Sequence, residues 1–131
     1  MESQVGVIPF RQKRNKLEVL LITSRTRGRW IIPKGNVEPH LGPRSSAVQE
    51  AFEEAGVEGS LIRSSLGRYV HQRPTGYAMV EVYVMKVKKQ HERWPESDVR
   101  ERQWMSVSKA RNRVEEPGLK ALLGRLAKKI R

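Results

Sequence analysis

The chain has 131 residues, with 26 Lys and Arg against 14 Asp and Glu, and a net charge of +12 at pH 7. The absence of cysteine excludes disulfide and thiolate chemistry and fits a cytoplasmic address. One domain, residues 1–131, is long enough to bury a full core. No apolar run approaches the roughly 20 residues that span a bilayer, and no basic, then apolar, leader opens the chain, so neither a signal peptide nor a membrane partner is expected.

Residues 4–11 (QVGVIPFR) alternate loosely and predict a strand, which Pro9 marks as an edge or bulged strand. After a polar turn, residues 17–23 (LEVLLIT) form a nearly continuous apolar run, as a central strand does. The loop 24–29 (SRTRGR) carries three arginines. Guanidinium forks match phosphate oxygens, so Arg25 and Arg29, with Lys34 beyond the next strand, are candidate phosphate contacts. Arg11 is a further candidate, and Arg27 reads equally well as a solubilising residue. Trp30, Ile31 and Ile32 predict a buried strand broken by Pro33, Lys34, Gly35 and Asn36, and a glycine at such a junction lets backbone approach a ligand closely.

A helix is predicted from about Arg44 to Ala55, with Gly56 as its stop. Glu50, Glu53 and Glu54 share one face by i, i+3, i+4 spacing, opposite Val48, Ala51, Phe52 and Ala55. These acids crowd the C-terminal end of the helix, where its dipole is unfavourable for negative charge. No Lys or Arg stands four residues to either side of them. A solvated acidic face is the bland reading. A site for a hard cation held by clustered oxygens, Mg²⁺ or Mn²⁺, explains the placement better. Residues 36–60 hold five Glu and one Arg, an acidic island in a basic chain. That contrast suits a metal site addressed by a phosphate-rich substrate.

Residues 57–60 predict a loop, 61–70 a strand broken by Gly67, and 71–76 a turn in which Arg73 is another candidate phosphate contact. Residues 77–88 (YAMVEVYVMKVK) are the clearest strand, buried on both faces, with Glu81 expected to pair with an arginine of a neighbouring strand. His40, His71 and His91 lack metal-ligand spacing and read as surface residues. Residues 100–107 predict a strand with Trp104 inward, 108–114 a short helix and 119–131 a final helix. Leu119, Leu122, Leu123, Leu126 and Ile130 make an apolar stripe for the core on that last helix.

The stretch PKGNVEPHLGPRSSAVQEAFEEAGV resembles the signature box of the Nudix hydrolases, with Gly35, Glu50, Ala51, Glu53, Glu54, Gly56 and Val57 in register. Two positions depart from it: Leu41 stands for the box's first Glu and Gln49 for its Arg, a pair usually described as a brace between loop and helix. The resemblance implies an α/β/α sandwich with a mixed β-sheet between helices. It implies Glu50 and Glu54 as metal ligands with the Gly35 carbonyl, and Glu53 as general base and further ligand. Three further stretches, LLITSRTRGRWIIPKGNVEP, EVYVMKV followed by HERWPES, and RERQWMSVSKA, resemble the diphosphoinositol polyphosphate phosphohydrolase branch, whose members also hydrolyse diadenosine polyphosphates. The expected activity is therefore hydrolysis of a phosphoanhydride in a diphosphate linked to another group, with a polyphosphorylated small molecule as partner. The alternatives are an RNA 5′-end or nucleoside triphosphate pyrophosphohydrolase, with RNA as partner, and a catalytically retired regulatory or binding domain.

Overall fold

The computed structural model describes residues 1–130. Eight strands make one mixed sheet: β1 (Glu2–Lys13), β2 (Lys16–Thr23), β3 (Trp30–Ile31), β4 (Lys34–Asn36), β5 (Val57–Leu61), β6 (Gly67–Arg73), β7 (Gly76–Gln90) and β8 (Arg102–Ser106). Its central path runs β3-β2-β1-β7-β5, with β4 on β1, β6 on β7 and β8 on β2. Only β1 and β7 are parallel, from Glu2 opposite Ala78 to Phe10 opposite Lys86. Helix α1 (Gly42–Glu50) covers one face, continued by a π-helical turn over Ala51–Ala55. Helices α2 (Val107–Arg113), α3 (Pro117–Gly124) and α4 (Leu126–Ile130) cover the other.

Alternation along the strands sorts the core into these two layers. Val5, Val7, Leu20, Ile22 and Met85 pack on Ala47, Ala51 and Ala55 of the α1 layer. Ile8, Phe10, Val19, Val82 and Val84 pack on Leu119, Leu122, Leu123 and Leu126. This is the expected α/β/α sandwich. Among the described residues, no helix is long and apolar enough to cross a membrane.

Several local expectations give way to tertiary pairing. Pro9 lies in a central strand, between the stretch of β1 that pairs with β4 (Gln4–Gly6) and the stretch that pairs with β2 (Phe10–Lys13). The Val7 amide donates to Pro33 O at 3.0 Å. By alternation Pro9, two residues on, turns its nitrogen to the gap between those partners, where the missing donor costs little. Lys34–Asn36 does not simply break the chain but adds a short strand on β1. Residues 57–60, expected as a loop, belong to β5 and pair with β7 across a bulge at Glu58/Gly59. The expected strand over 61–70 is interrupted before β6 begins at Gly67, and His71–Arg73 extend β6 rather than the turn. In β8 Met105 is buried on the α2–α4 side, while Trp104 points inward on the α1 side but stays half-buried against that core. The last helix is split at Arg125 into α3 and α4, and Arg131 lies outside the described residues. Glu81 has the expected partner, Arg68 on β6 at 3.8 Å. His71 and His91 are half-buried, each on a glutamate, Glu116 and Glu58 respectively, while His40 is exposed.

Candidate active site

The site is built where β4 passes under the acidic helix. Pro at the first turn starts α1, and the Ser46 hydroxyl accepts the Glu38 amide at 2.9 Å, tying the preceding loop to the helix. After Glu50 the helix widens into the π turn, a feature that recurs at functional sites. Gly56 closes it at φ +68°, its amide donating to Ala51 O and Phe52 O. A Cβ there would stand 2.7 Å from Arg102 Nη1 and 2.8 Å from the Trp94 ring. Both side chains cap the turn: Trp94 Nε1 donates to Glu54 O at 2.9 Å and Arg102 Nη1 to Ala55 O at 2.8 Å, with the guanidinium stacked on the indole at 3.9 Å. The cation missing from the helix sequence is supplied to its C-terminal carbonyls by β8.

Glu50 and Glu54 converge, while Glu53 is drawn aside. Gln49 Nε2 donates to Glu53 Oε1 at 2.8 Å. The Glu50 and Glu54 carboxyls stand close enough for each to shift the other's protonation. Glu54 is 7% exposed, and its Oε1 accepts the Lys34 backbone amide at 3.2 Å. Glu50 folds directly over Gly35: a Cβ on Gly35 would lie 2.4 Å from the Glu50 Cδ and Oε2. The glycine is therefore required by close approach rather than by a turn. Burial, then the neighbouring Glu54 carboxylate, push the Glu50 carboxyl up to about 8. Burial also raises Glu54, against the opposing charge of Arg100.

This donor set fits a divalent cation. Two carboxylates converge, with Arg100 beside only one of them, and Glu50 lies against a backbone bared by glycine, leaving oxygens and no side-chain bulk around the same point. Among the described residues, no group of three His, Cys, Asp or Glu side chains is gathered closely enough to bind a metal by itself. The arrangement is two carboxylates and backbone, with Glu53 adjacent.

The raised carboxyl has a consequence for stability. Between its ordinary value of 4.5 and about 8, the folded metal-free chain keeps a proton that the unfolded chain has released. Stability therefore falls as pH climbs through that window. The melting temperature of the chelator-treated chain is expected to drop from pH 5 to pH 8, and Glu50→Gln to flatten the drop. An equal drop in Glu50→Gln contradicts the assignment.

The candidate phosphate contacts divide. Lys34 is half-buried, and burial lowers its pKa; Glu54 and Glu116 oppose that shift, while Arg100 and Arg73 add to it. Lys34 and Arg73 thus share one electrostatic neighbourhood. Arg73 Nη2 reaches Glu2 at 2.7 Å, and its buried Nε has no partner among the described residues. Arg25 is exposed in the 24–29 loop, and Arg29 in that loop pairs with Glu115 at 3.3 Å. Arg11 is not brought to the site. It lies roughly 20 Å along β1 from the Val5–Gly35 pair at strand rise, bound to Glu18 at 2.9 Å and 4.3 Å over the Trp104 ring.

Sequence reasoning missed Arg100, Glu96, Trp94 and Arg102. The Arg100 side chain is 7% exposed, its Nη2 3.5 Å from Glu54 and its Nε 2.8 Å from Glu96. The one available signal was negative: buried acids without a cation on their own helix need one from elsewhere.

The family model described as NUDIX domain matches residues 2–125. Nudix hydrolase 21, chloroplastic, of Arabidopsis thaliana is 38% identical over 112 residues, covering 81% of this chain and 56% of that protein. Diphosphoinositol polyphosphate phosphohydrolase 3-beta of Bos taurus is 39% identical over 111 residues, covering 83% of this chain and 66% of that protein. Among solved structures, the C. elegans Ap4A hydrolase superposes with a TM-score of 0.83 at 18% identity, covering 100% of this chain and 99% of that one. The chain belongs to the Nudix domain family. It spans between about half and two thirds of the length of these two curated relatives.

Proposed function

We propose that this chain, as a single domain over residues 1–131, is a divalent-metal-dependent pyrophosphohydrolase. Its proposed substrate is a diphosphate linked to another group, either a diadenosine polyphosphate or a diphosphoinositol polyphosphate. The observation that carries the reading is the Glu50 carboxyl folded over Gly35 with Glu54 beside it. Glu50, Glu54 and the Gly35 carbonyl would hold Mg²⁺ or Mn²⁺, which supplies Lewis-acid stabilisation of phosphate charge and a more acidic bound water. Glu53 takes the proton of the attacking water, its carboxylate oriented by the 2.8 Å bond from Gln49. As water's oxygen bonds to phosphorus, the bridging P–O bond breaks and the leaving phosphate carries away the electron pair. Lys34 and Arg73 hold phosphate oxygens of the substrate, with Arg25 and Arg29 as further contacts from the adjoining loop. The names of the bovine relative and of the worm structure support the two substrate classes. The cysteine-free composition supports a reducing, cytoplasmic address, which imaging of the tagged full chain tests.

The experiment is phosphate release with Mg²⁺ across diadenosine polyphosphates, a diphosphoinositol polyphosphate, nucleoside triphosphates and 5′-triphosphate RNA. Turnover is expected on one of the first two. Turnover only on RNA favours the 5′-end reading that the +12 charge would serve, and silence across the panel favours a retired regulatory domain. Glu53→Gln is expected to cost about 10²–10⁴-fold in kcat, as loss of a general base does. Near-normal turnover in Glu53→Gln moves the base elsewhere.

A further inference from the structure

One side chain ties together three distant stretches around the site. The Arg100 Nε donates to Glu96 Oε1 at 2.8 Å and its Nη1 to Thr23 O at 2.9 Å, while Nη2 lies 3.5 Å from Glu54 Oε2. The Arg100 and Glu54 side chains are 7% and 9% exposed. Neither of the other partners is free to move. Thr23, at the end of β2, exchanges two hydrogen bonds with Glu101, its amide to Glu101 O at 3.0 Å and its hydroxyl from the Glu101 amide at 2.8 Å. Glu96 is fixed by its own amide, which donates to Glu53 O at 3.1 Å. Arg100 is thus scaffold rather than a mobile counter-ion. Glu54, on the far side, receives the Lys34 amide on its other oxygen at 3.2 Å. The chain of contacts runs β2, Arg100, Glu54, Lys34, and ends on the residue before Gly35. Leu41 and Gln49 make no brace between loop and helix, Leu41 being 39% exposed and Gln49 spent on Glu53, and the Glu38–Ser46 bond ties the loop only to the start of α1.

We propose that Arg100 is a positioning residue that locks Glu54 against the Gly35 loop, so that loop and helix keep a fixed spacing. The inference deepens the metal-dependent reading above and rests on it for its link to activity. A buried fork anchored on two further partners, Glu96 and Thr23 O, restricts the Glu54 carboxylate more than a point charge does. Its removal has two opposite effects on a nearby cation. Lost repulsion tightens binding, and lost orientation weakens it. Outer-shell partners of metal ligands typically carry about 10–100-fold in affinity, and orientation is the effect assigned to Arg100.

The test compares the wild-type full chain with Arg100→Met and Arg100→Lys by two readouts besides turnover. These are hydrogen exchange of the Lys34 amide relative to β7 amides, and Mn²⁺ affinity by electron paramagnetic resonance. In Arg100→Met, Lys34 exchange is expected to accelerate at least about tenfold with β7 unchanged, and Mn²⁺ affinity to fall about tenfold. Arg100→Lys, which keeps charge but not the fork, is expected to show both effects at smaller size, and it decides the matter if Arg100→Met does not fold. Unchanged Lys34 exchange, or tighter Mn²⁺ binding, overturns the positioning role. Failure of the wild type to bind Mn²⁺ overturns the metal-dependent reading instead, and the exchange readout then judges the brace by itself.

Discussion

Glu54→Gln is expected to remove hydrolysis almost entirely while leaving the fold in place. The substituted amide keeps an acceptor oxygen for the Lys34 amide, so the 3.2 Å bond that ties loop to helix can survive. What is lost is the charge. Arg100 then faces a neutral side chain and retains Glu96 and Thr23 O, and Glu50 no longer has an ionised neighbour to share a cation with. Lewis-acid stabilisation by a bound metal is worth several kcal/mol, and each 1.36 kcal/mol is tenfold in rate. The expected loss is therefore about 10³-fold in kcat, with weakened Mg²⁺ activation and little change in the melting temperature of the metal-free chain. Steady-state rates against Mg²⁺ concentration, beside a thermal melt, check both parts. A variant that keeps its rate but loses stability would make Glu54 a purely structural acid.

The second large effect is expected from the smallest change, Gly35→Ala. The new Cβ would occupy the place of the Glu50 carboxyl, 2.4 Å from Cδ. β4 cannot retreat, because Gly35 is in register with Val5 of the central strand. The far end of the Glu50 side chain is the flexible member of the contact, so it swings out and the fold persists. One methyl group is then expected to do what Glu50→Ala does, a loss of about 10²–10³-fold by removal of one electrostatic contributor. The same displacement exposes Glu50 to water, so the fall in stability from pH 5 to pH 8 should shrink in the metal-free variant. Activity and pH-dependent melts of Gly35→Ala measured together test the pairing. Retained activity shows that the carboxyl does not work from above Gly35.

The parts of the molecule that follow local rules were legible in the sequence. β2 and β7 are apolar runs bounded by turn residues, and the leucine stripe of α3 and α4 follows the helical period, so pattern alone located them. The glycine and the acids of the site were legible too, as oxygens crowded where a helix disfavours them. The rest depends on contacts distant in sequence. Residues 57–60 carry glycine and serine and look like a loop until β7 supplies a partner for them. Pro9 looks like an edge signal until β4 and β2 divide one side of β1 between them. The three glutamates look equivalent on an α-helical wheel. The π turn and the Gln49 bond set Glu53 apart from the other two. Arg100 and Arg102 act on residues more than 40 positions away, which no window of the sequence contains.

The central claim is that Glu50 and Glu54, closing over Gly35, hold the divalent ion that the hydrolysis needs. Substoichiometric Mn²⁺ added to the ¹⁵N-labelled chain tests it most directly, through paramagnetic broadening of backbone amides. The account predicts that the signals of Lys34–Asn36 and of Glu50–Gly56 broaden first, with α2–α4 unaffected, and that Glu54→Gln abolishes the effect. Broadening centred elsewhere, or persisting unchanged in Glu54→Gln, would contradict it.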